Sequence, residues 1–98
     1  MNIYHSDTNG NIHLNLDEIK KYIQAWVKAI ETLENDDQEN KQIQIKYESC
    51  RNEAIEMGKI LDRLGGFDLM QEVHTILVPP YLKRIVELFW TGIGEWQG

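Results

Sequence analysis

The stretch LDEIKKYIQAWVKAIETLE, residues 16–34, decides the fold. Its apolar residues recur three and four positions apart, at Leu16, Ile19, Ile23, Trp26, Ile30 and Leu33. This spacing places them along one side of an α-helix. Asn15 is a good N-cap residue, and Glu18 follows it three positions later, as in a capping box. The stretch therefore predicts an amphipathic helix over residues 16–34.

A second, longer helix is predicted over residues 37–64. Its main apolar stripe keeps the same spacing, at Ile43, Tyr47, Cys50, Ala54, Met57, Leu61 and Leu64. Ile45, Ile55 and Ile60 lie beside that stripe, so this helix carries more apolar surface than one partner helix would cover. The polar residues 35–40 favour a connection before it, and Gly65-Gly66 favours a helix end after it. We expect the two long helices to pack as an antiparallel hairpin.

Two shorter helices are predicted after the glycine pair. The first covers residues 68–77 and ends before Val78-Pro79-Pro80, because a residue that precedes proline avoids the helical conformation. Pro80 suits the first position of a helix, so the last helix is placed at residues 80–92. The chain is therefore expected to be a single, mainly all-α domain over residues 1–98.

The N-terminal residues 1–14 have the pattern of a short β-hairpin. Asn9-Gly10 lies between two short runs with apolar residues, and an Asn-Gly pair is a strong signal for a two-residue hairpin turn. With that pair at the tip, His5 pairs with Leu14. This register predicts that His5 and His13 point to opposite faces of the hairpin.

Composition and charge exclude several classes of function. The formal net charge is −6, from 16 acidic and 10 basic residues. Binding to nucleic acid or to an anionic membrane needs a basic surface, so neither is expected. No run approaches the roughly 20 apolar residues that span a membrane, and no signal peptide is visible. These observations predict a cytoplasmic protein.

No catalytic, cofactor or metal site is predicted from the nucleophilic and metal-binding residue types. The one cysteine, Cys50, lies on the apolar stripe of the second helix and is interpreted as a core residue. Zinc needs three or four converging ligands. His5 and His13 on opposite faces, with no third histidine nearby, do not supply them.

Two Glu-x-x-Glu motifs are the basis of an enzymatic alternative. Glu31 with Glu34, and Glu53 with Glu56, place pairs of carboxylates on one side of a helix. Such pairs can hold a divalent metal ion if a second acidic pair faces them. We interpret both motifs as salt-bridged surface, and a small all-α enzyme with an acidic metal site stays as the alternative.

The leading functional hypothesis is a non-enzymatic protein-interaction or regulatory module that acts through helix faces as a homodimer. The chain is too small to cover both long apolar stripes and the isoleucines beside the second one. Two tryptophans lie near the C-terminus, where they either pack back onto the helices or face a partner, since tryptophan is enriched among binding hot spots. The candidate partner interface is therefore Ile45, Ile55, Ile60, Trp90 and Trp96. A further alternative is an acidic inhibitor of a basic partner, carried by the five acids of residues 31–39.

Overall fold

The computed structural model describes the backbone of residues 1–35 and 41–96 and the side chains of residues 1–32 and 47–96. Its elements in chain order are β1 Tyr4–Ser6, β2 Ile12–Leu14, α1 Leu16–Asn35, α2 Lys41–Thr75 and α3 Pro80–Trp90. The prediction of a mainly helical chain with a short N-terminal hairpin is confirmed. Both α1 and α3 pack against α2, which is the central helix.

The helix α1 forms around one buried stripe. Its buried residues are each at most 4 % exposed and follow the predicted spacing: Ile19, Ile23, Trp26 and Ile30. Asn15 occupies the N-cap position, since its C=O accepts a hydrogen bond from the N–H of Ile19 at 3.1 Å. Leu16, at the first helical position, is 48 % exposed and does not join the stripe. The side chain of Leu33 lies outside the described residues.

The helix α2 changes direction at Gly66, whose backbone angles are φ 69° and ψ −155°. This combination is accessible essentially only to glycine, because a Cβ would collide with the backbone. Leu64 shares a groove with Leu16 at the start of α1, whereas Val78 shares a groove with Val27 further along α1. After Gly66, the chain therefore runs along α1 in the same direction as α1.

The described part of the chain contains three helices where the sequence predicted four. The predicted helices 37–64 and 68–77 belong to one helical element, because a single non-helical residue, Gly66, makes the bend without a connecting loop. The part before Gly66 is antiparallel to α1, since Cys50 shares a groove with Ala29 near the end of α1. The predicted set of two long and two short C-terminal helices is therefore wrong.

The helix α3 begins at Pro80, as predicted. Proline has no backbone N–H, but an N–H at the first position of a helix would have no acceptor within the helix, so no hydrogen bond is lost. Its buried residues recur at every fourth position, at Leu82, Val86 and Trp90. The helix ends at Trp90 rather than at residue 92, since Thr91 has φ −54° and ψ 124° and leaves the helical conformation. The Val78–Pro79 peptide bond before the helix is cis.

The hairpin register differs from the predicted register by one residue. The pairs are Tyr4 with Leu14, His5 with His13 and Ser6 with Ile12. The loop contains three residues, 8–10. Gly10 is the only one of them with a positive φ, of 82°. A two-residue turn of the predicted kind would need positive φ at both central residues. The prediction that His5 and His13 point to opposite faces is therefore wrong.

The side chain of Asp7 explains the longer loop. Its Oδ1 accepts hydrogen bonds from the backbone N–H groups of Asn9 and Asn11, both at 2.9 Å. Aspartate commonly forms turns in this way, by accepting from N–H groups further along the chain. The hairpin is also joined to the start of α1, because the N–H of Asn15 donates to the C=O of the fully buried Ile3 at 2.8 Å.

Candidate functional site

The five residues of the predicted partner interface do not form one exposed surface. Trp90 is 0 %, Trp96 6 % and Ile60 8 % exposed, so these three belong to the hydrophobic core. Ile55 is half-buried, and the side chain of Ile45 lies outside the described residues. The prediction that Trp90, Trp96 and Ile60 face a partner is corrected, because α3 and the segment after it pack against the rest of the chain.

Trp90 fits closely against the backbone of α2. Its indole N–H donates a hydrogen bond to the C=O of Ala54 at 2.7 Å. A Cβ placed on Gly58 would lie 2.6 Å from Cδ1 of the Trp90 ring, well inside van der Waals contact. Gly58 therefore lacks a side chain where the indole ring needs the space, although glycine within a helix is unfavourable.

Trp96 folds back onto the bend of α2. Its ring contacts three other aromatic rings, with centroid distances of 5.5 Å to Phe67, 5.3 Å to His74 and 5.2 Å to Trp90. Its indole N–H donates to the C=O of Glu87 at 3.2 Å. An aromatic ring with this many partners and a satisfied N–H is part of the core. The residues after α3 thus cover the aromatic end of the molecule.

The carboxylates of the two Glu-x-x-Glu motifs have different roles from those predicted. Glu53 accepts a hydrogen bond from the indole N–H of Trp26 at 3.0 Å. Glu31 accepts one from the hydroxyl of Tyr81 at 3.2 Å. Glu56 is exposed and forms no ion pair with a described residue. The side chain of Glu34 lies outside the described residues. The first carboxylate of each motif therefore links helices through a hydrogen bond.

The two hairpin histidines lie on the same face. The rings of His5 and His13 stack at a centroid distance of 5.3 Å and an interplanar angle of 22°. Nε2 of His13 lies 2.9 Å from Oδ2 of Asp7. This hydrogen bond, helped by the N–H groups of Asn11 and Asn9, lowers the pKa of the Asp7 carboxyl below its ordinary value.

His74, the third histidine, lies on the part of α2 that follows the bend. Its Nε2 is 3.0 Å from a carboxylate oxygen of Glu87, without hydrogen-bond geometry. Among the side chains of residues 1–32 and 47–96, no group of three or more His, Cys, Asp or Glu residues is arranged to hold a metal ion. His74 thus joins the part of α2 after the bend to Glu87 of α3 and to the ring of Trp96.

Cys50 is a buried free thiol, 4 % exposed, as its place on the apolar stripe predicted. Burial, together with the negative charge of Glu53, raises the pKa of the thiol to about 12. The thiolate is the reactive form of cysteine, and this environment suppresses it. A nucleophilic role would need the opposite shift.

We expect Cys50 in the native protein to react with iodoacetamide at pH 8 about a hundredfold more slowly than in urea, because burial disfavours the thiolate and blocks access. Mass spectrometry of samples quenched at intervals measures the two rates, with glutathione as the control for the reagent in each solution. Equal rates in native and unfolded protein would contradict the burial of Cys50.

The hairpin and the bend of α2 form an apolar groove with a volume of about 440 Å³. Its apolar lining comes from three elements: Ile12 and Leu14 of β2, Leu16 of α1, and Leu64 and Leu69 of α2. His13 and Glu72 add the polar side chains. We call this surface the hairpin groove. The sequence reading missed it, because the residues come together only through the hairpin register and the bend at Gly66.

A second groove runs between α1 and the segment that connects α2 to α3. Its apolar lining is Ile23, Val27, Ile76 and Val78, and its volume is also about 440 Å³. Its polar side chains are Lys20, Gln24, Lys28 and Glu31, all on α1. We call this surface the lysine groove. Two surfaces thus combine apolar floors with a few polar groups, as binding sites do.

Comparisons with known proteins give no relative to guide the choice between these surfaces. Protein-family models, curated proteins and solved structures were compared with the chain, and none matches. The described helices include none that is both long and apolar enough to cross a membrane.

Proposed function

We propose that this protein is a non-enzymatic interaction module that forms a homodimer through the hairpin groove. The observation that carries the proposal is the gathering of exposed apolar side chains at one end of the molecule. Five large apolar residues are exposed in the described part: Tyr4, Ile12, Leu16, Val78 and Leu88. The first three lie on the hairpin or at the start of α1. Clustered exposed apolar residues are typical of interaction sites.

The chemistry of the hairpin groove suits a second copy of the same chain. A two-fold symmetric interface uses the same patch on both subunits, so the patch has to complement itself. Leu16 and Ile12 are 48 % and 41 % exposed and project beside a recess. The polar side chains of the lining are Glu72 and His13, whose Nε2 already bonds to Asp7, so the apolar residues carry the complementarity. Each copy then contributes both a projecting apolar residue and the recess that receives it.

The proposal places the module in the cytoplasm. Its one cysteine, Cys50, is a buried free thiol, which suits a reducing compartment. The chain has no second cysteine with which to form an internal disulfide. The fold is therefore held by packing and hydrogen bonds, without an internal disulfide.

Leu16→Glu tests the proposed dimer. Burying a leucine side chain contributes about 1.5–3 kcal/mol, and a symmetric dimer contains the substitution twice, so dimer dissociation should become about a hundredfold easier. An acidic residue is favourable in the first turn of a helix, so α1 should stay folded. Light scattering coupled to gel filtration, over a range around tens of micromolar, measures the mass of each variant.

Leu88→Glu is the matched control, since Leu88 is 71 % exposed on α3 and lies outside the hairpin groove. We expect it to leave the dimer intact. A monomeric wild-type protein at about 50 µM, where a dimer of micromolar Kd would be mostly assembled, would refute the homodimer. Equal loss of the dimer in both variants would refute the hairpin groove as its interface.

A further inference from the structure

We infer that the lysine groove binds an amphipathic helix of a partner protein whose apolar stripe is flanked by acidic residues. This surface is distinct from the hairpin groove, so the inference goes beyond the proposed homodimer. Three observations support it: the shape of the groove, the charge on its rim and the spacing of that charge.

The shape is that of a site for one helix. The lining on α1 extends from Lys20 to Glu31, which is three helical turns or about 16 Å. The opposite wall is formed by Ile76 and Val78, and Val78 is 64 % exposed. An apolar surface of this length along one helix, closed on its other side by two apolar residues, can receive the apolar face of an amphipathic helix.

The rim carries the charge that is opposite to that of the whole chain. The protein has a net charge of −6, yet Lys20 and Lys28 line the groove. Neither lysine forms an ion pair with a described residue, whereas Lys21 on the same helix pairs with Glu18 at 3.2 Å. The one acid of the groove, Glu31, accepts the hydrogen bond of Tyr81. The rim therefore attracts an anionic partner, and electrostatic complementarity of this kind sets specificity.

The spacing of the rim fits the edge of a helix. Lys20, Gln24 and Lys28 are four residues apart and form one row on α1, beside the apolar row of Ile23 and Val27. Charged rows that flank an apolar seam select partners in helix pairs. A partner helix that lies along α1 could pair with both lysines through two acidic residues seven or eight positions apart. Residues at that spacing lie on the same side of a helix.

The test uses the full chain and two synthetic helical peptides of about four turns, each with a leucine stripe. Glutamate flanks the stripe in one peptide, and lysine flanks it in the other. Fluorescence anisotropy of the labelled peptides measures binding. We expect the glutamate peptide to bind about tenfold more tightly than the lysine peptide, and added salt to reduce the difference.

Two variants assign the binding to the groove. The double variant Lys20→Glu with Lys28→Glu should remove or reverse the preference for the glutamate peptide. The control, Lys21→Glu with Lys59→Glu, changes the net charge equally at exposed positions outside the groove and should keep the preference. Val78→Asp should weaken the binding of both peptides about tenfold, because it places a charge on the apolar wall. Thermal melting of each variant checks that it is folded.

Several outcomes would overturn the inference. They are equal binding of the two peptides, binding of neither peptide at about millimolar concentration, and an unchanged preference in the Lys20→Glu, Lys28→Glu variant. A change of oligomeric state in that variant would show that a second copy of the chain occupies the groove instead. Loss of the dimer in Leu16→Glu with retained peptide binding would instead support both proposals, since Leu16 lines the hairpin groove and not the lysine groove.

Discussion

Replacing Trp90 with alanine should lower the free energy of unfolding by about 3–5 kcal/mol, the largest effect expected for a single substitution in this chain. The side chain is 0 % exposed, so its removal leaves a cavity between α3 and α2. The C=O of Ala54 also loses its donor, and the ring of Trp96 loses the partner that packs edge-on at 87°. Urea unfolding followed by circular dichroism measures the change.

Leu88→Ala is the control for the Trp90 substitution. Leu88 lies on the same helix two residues earlier and is 71 % exposed, so we expect a change within about 0.5 kcal/mol. The decrease in the free energy of unfolding for Trp90→Phe should lie between those for Leu88→Ala and Trp90→Ala, because phenylalanine keeps an aromatic ring but lacks the indole N–H. If Leu88→Ala lowered the free energy of unfolding as much as Trp90→Ala, the burial of Trp90 would not be the reason for its contribution to stability.

Gly58→Ala should lower the free energy of unfolding by about 2–3 kcal/mol, through overpacking against the Trp90 indole. The direction is informative, because alanine in a helix interior is usually more favourable than glycine by about 1 kcal/mol. The added Cβ would lie 2.6 Å from Cδ1 and 2.7 Å from Nε1 of the ring, so the indole has to move. Urea unfolding again supplies the measurement.

The same substitution should change sign when Trp90 is already alanine. Without the indole ring, the close neighbour that remains is Cδ1 at the flexible end of Ile93, 3.0 Å from the added Cβ, and Gly58→Ala should be neutral or stabilising by up to about 1 kcal/mol. A double-mutant cycle with the four variants measures this coupling. The same destabilisation in both backgrounds would show that Gly58 is needed for a reason unrelated to Trp90.

Local sequence patterns predicted helix positions and buried sides correctly where the residues involved lie within one helical turn of each other. Ile19 and Ile23 of α1 are buried as their spacing indicated, and Pro80 begins α3. Cys50 is likewise buried on the predicted stripe of α2. These features depend on residues three or four positions apart, which an α-helix brings to one side whatever it packs against.

Local patterns left two roles open for the C-terminal tryptophans, and the structure places both in the core rather than facing a partner. The local sequence around Trp90 and Trp96 would be the same whether these side chains were exposed or buried. Only the way α3 packs across α2 decides which of the two occurs. The signal that sequence reading missed is Gly58, a glycine inside a long helix that needs an explanation. In the structure, it is the point where Trp90 meets the backbone of α2.

The candidate site was less predictable than the fold. Leu16 was placed on the buried stripe of α1, yet it is exposed on the hairpin groove. The hairpin register changed because the Asp7 side chain favours a three-residue loop over the turn that Asn9-Gly10 indicates. In the observed register Ile12 and Leu14 share a face with Tyr4 and Ser6, whereas the predicted register placed them with Ile3 and His5.

By itself, the sequence determined which segments are helical, where proline and glycine interrupt them and which sides of the helices are apolar. Each of these properties arises from neighbours within a few residues, so the chain carries it locally. Only the tertiary structure decided which apolar residues α2 and α3 cover, and hence that Trp90 and Trp96 are core while Leu16 is exposed. The physical reason is that burial depends on the direction of the chain after Gly66, and one pair of backbone angles there redirects every later residue.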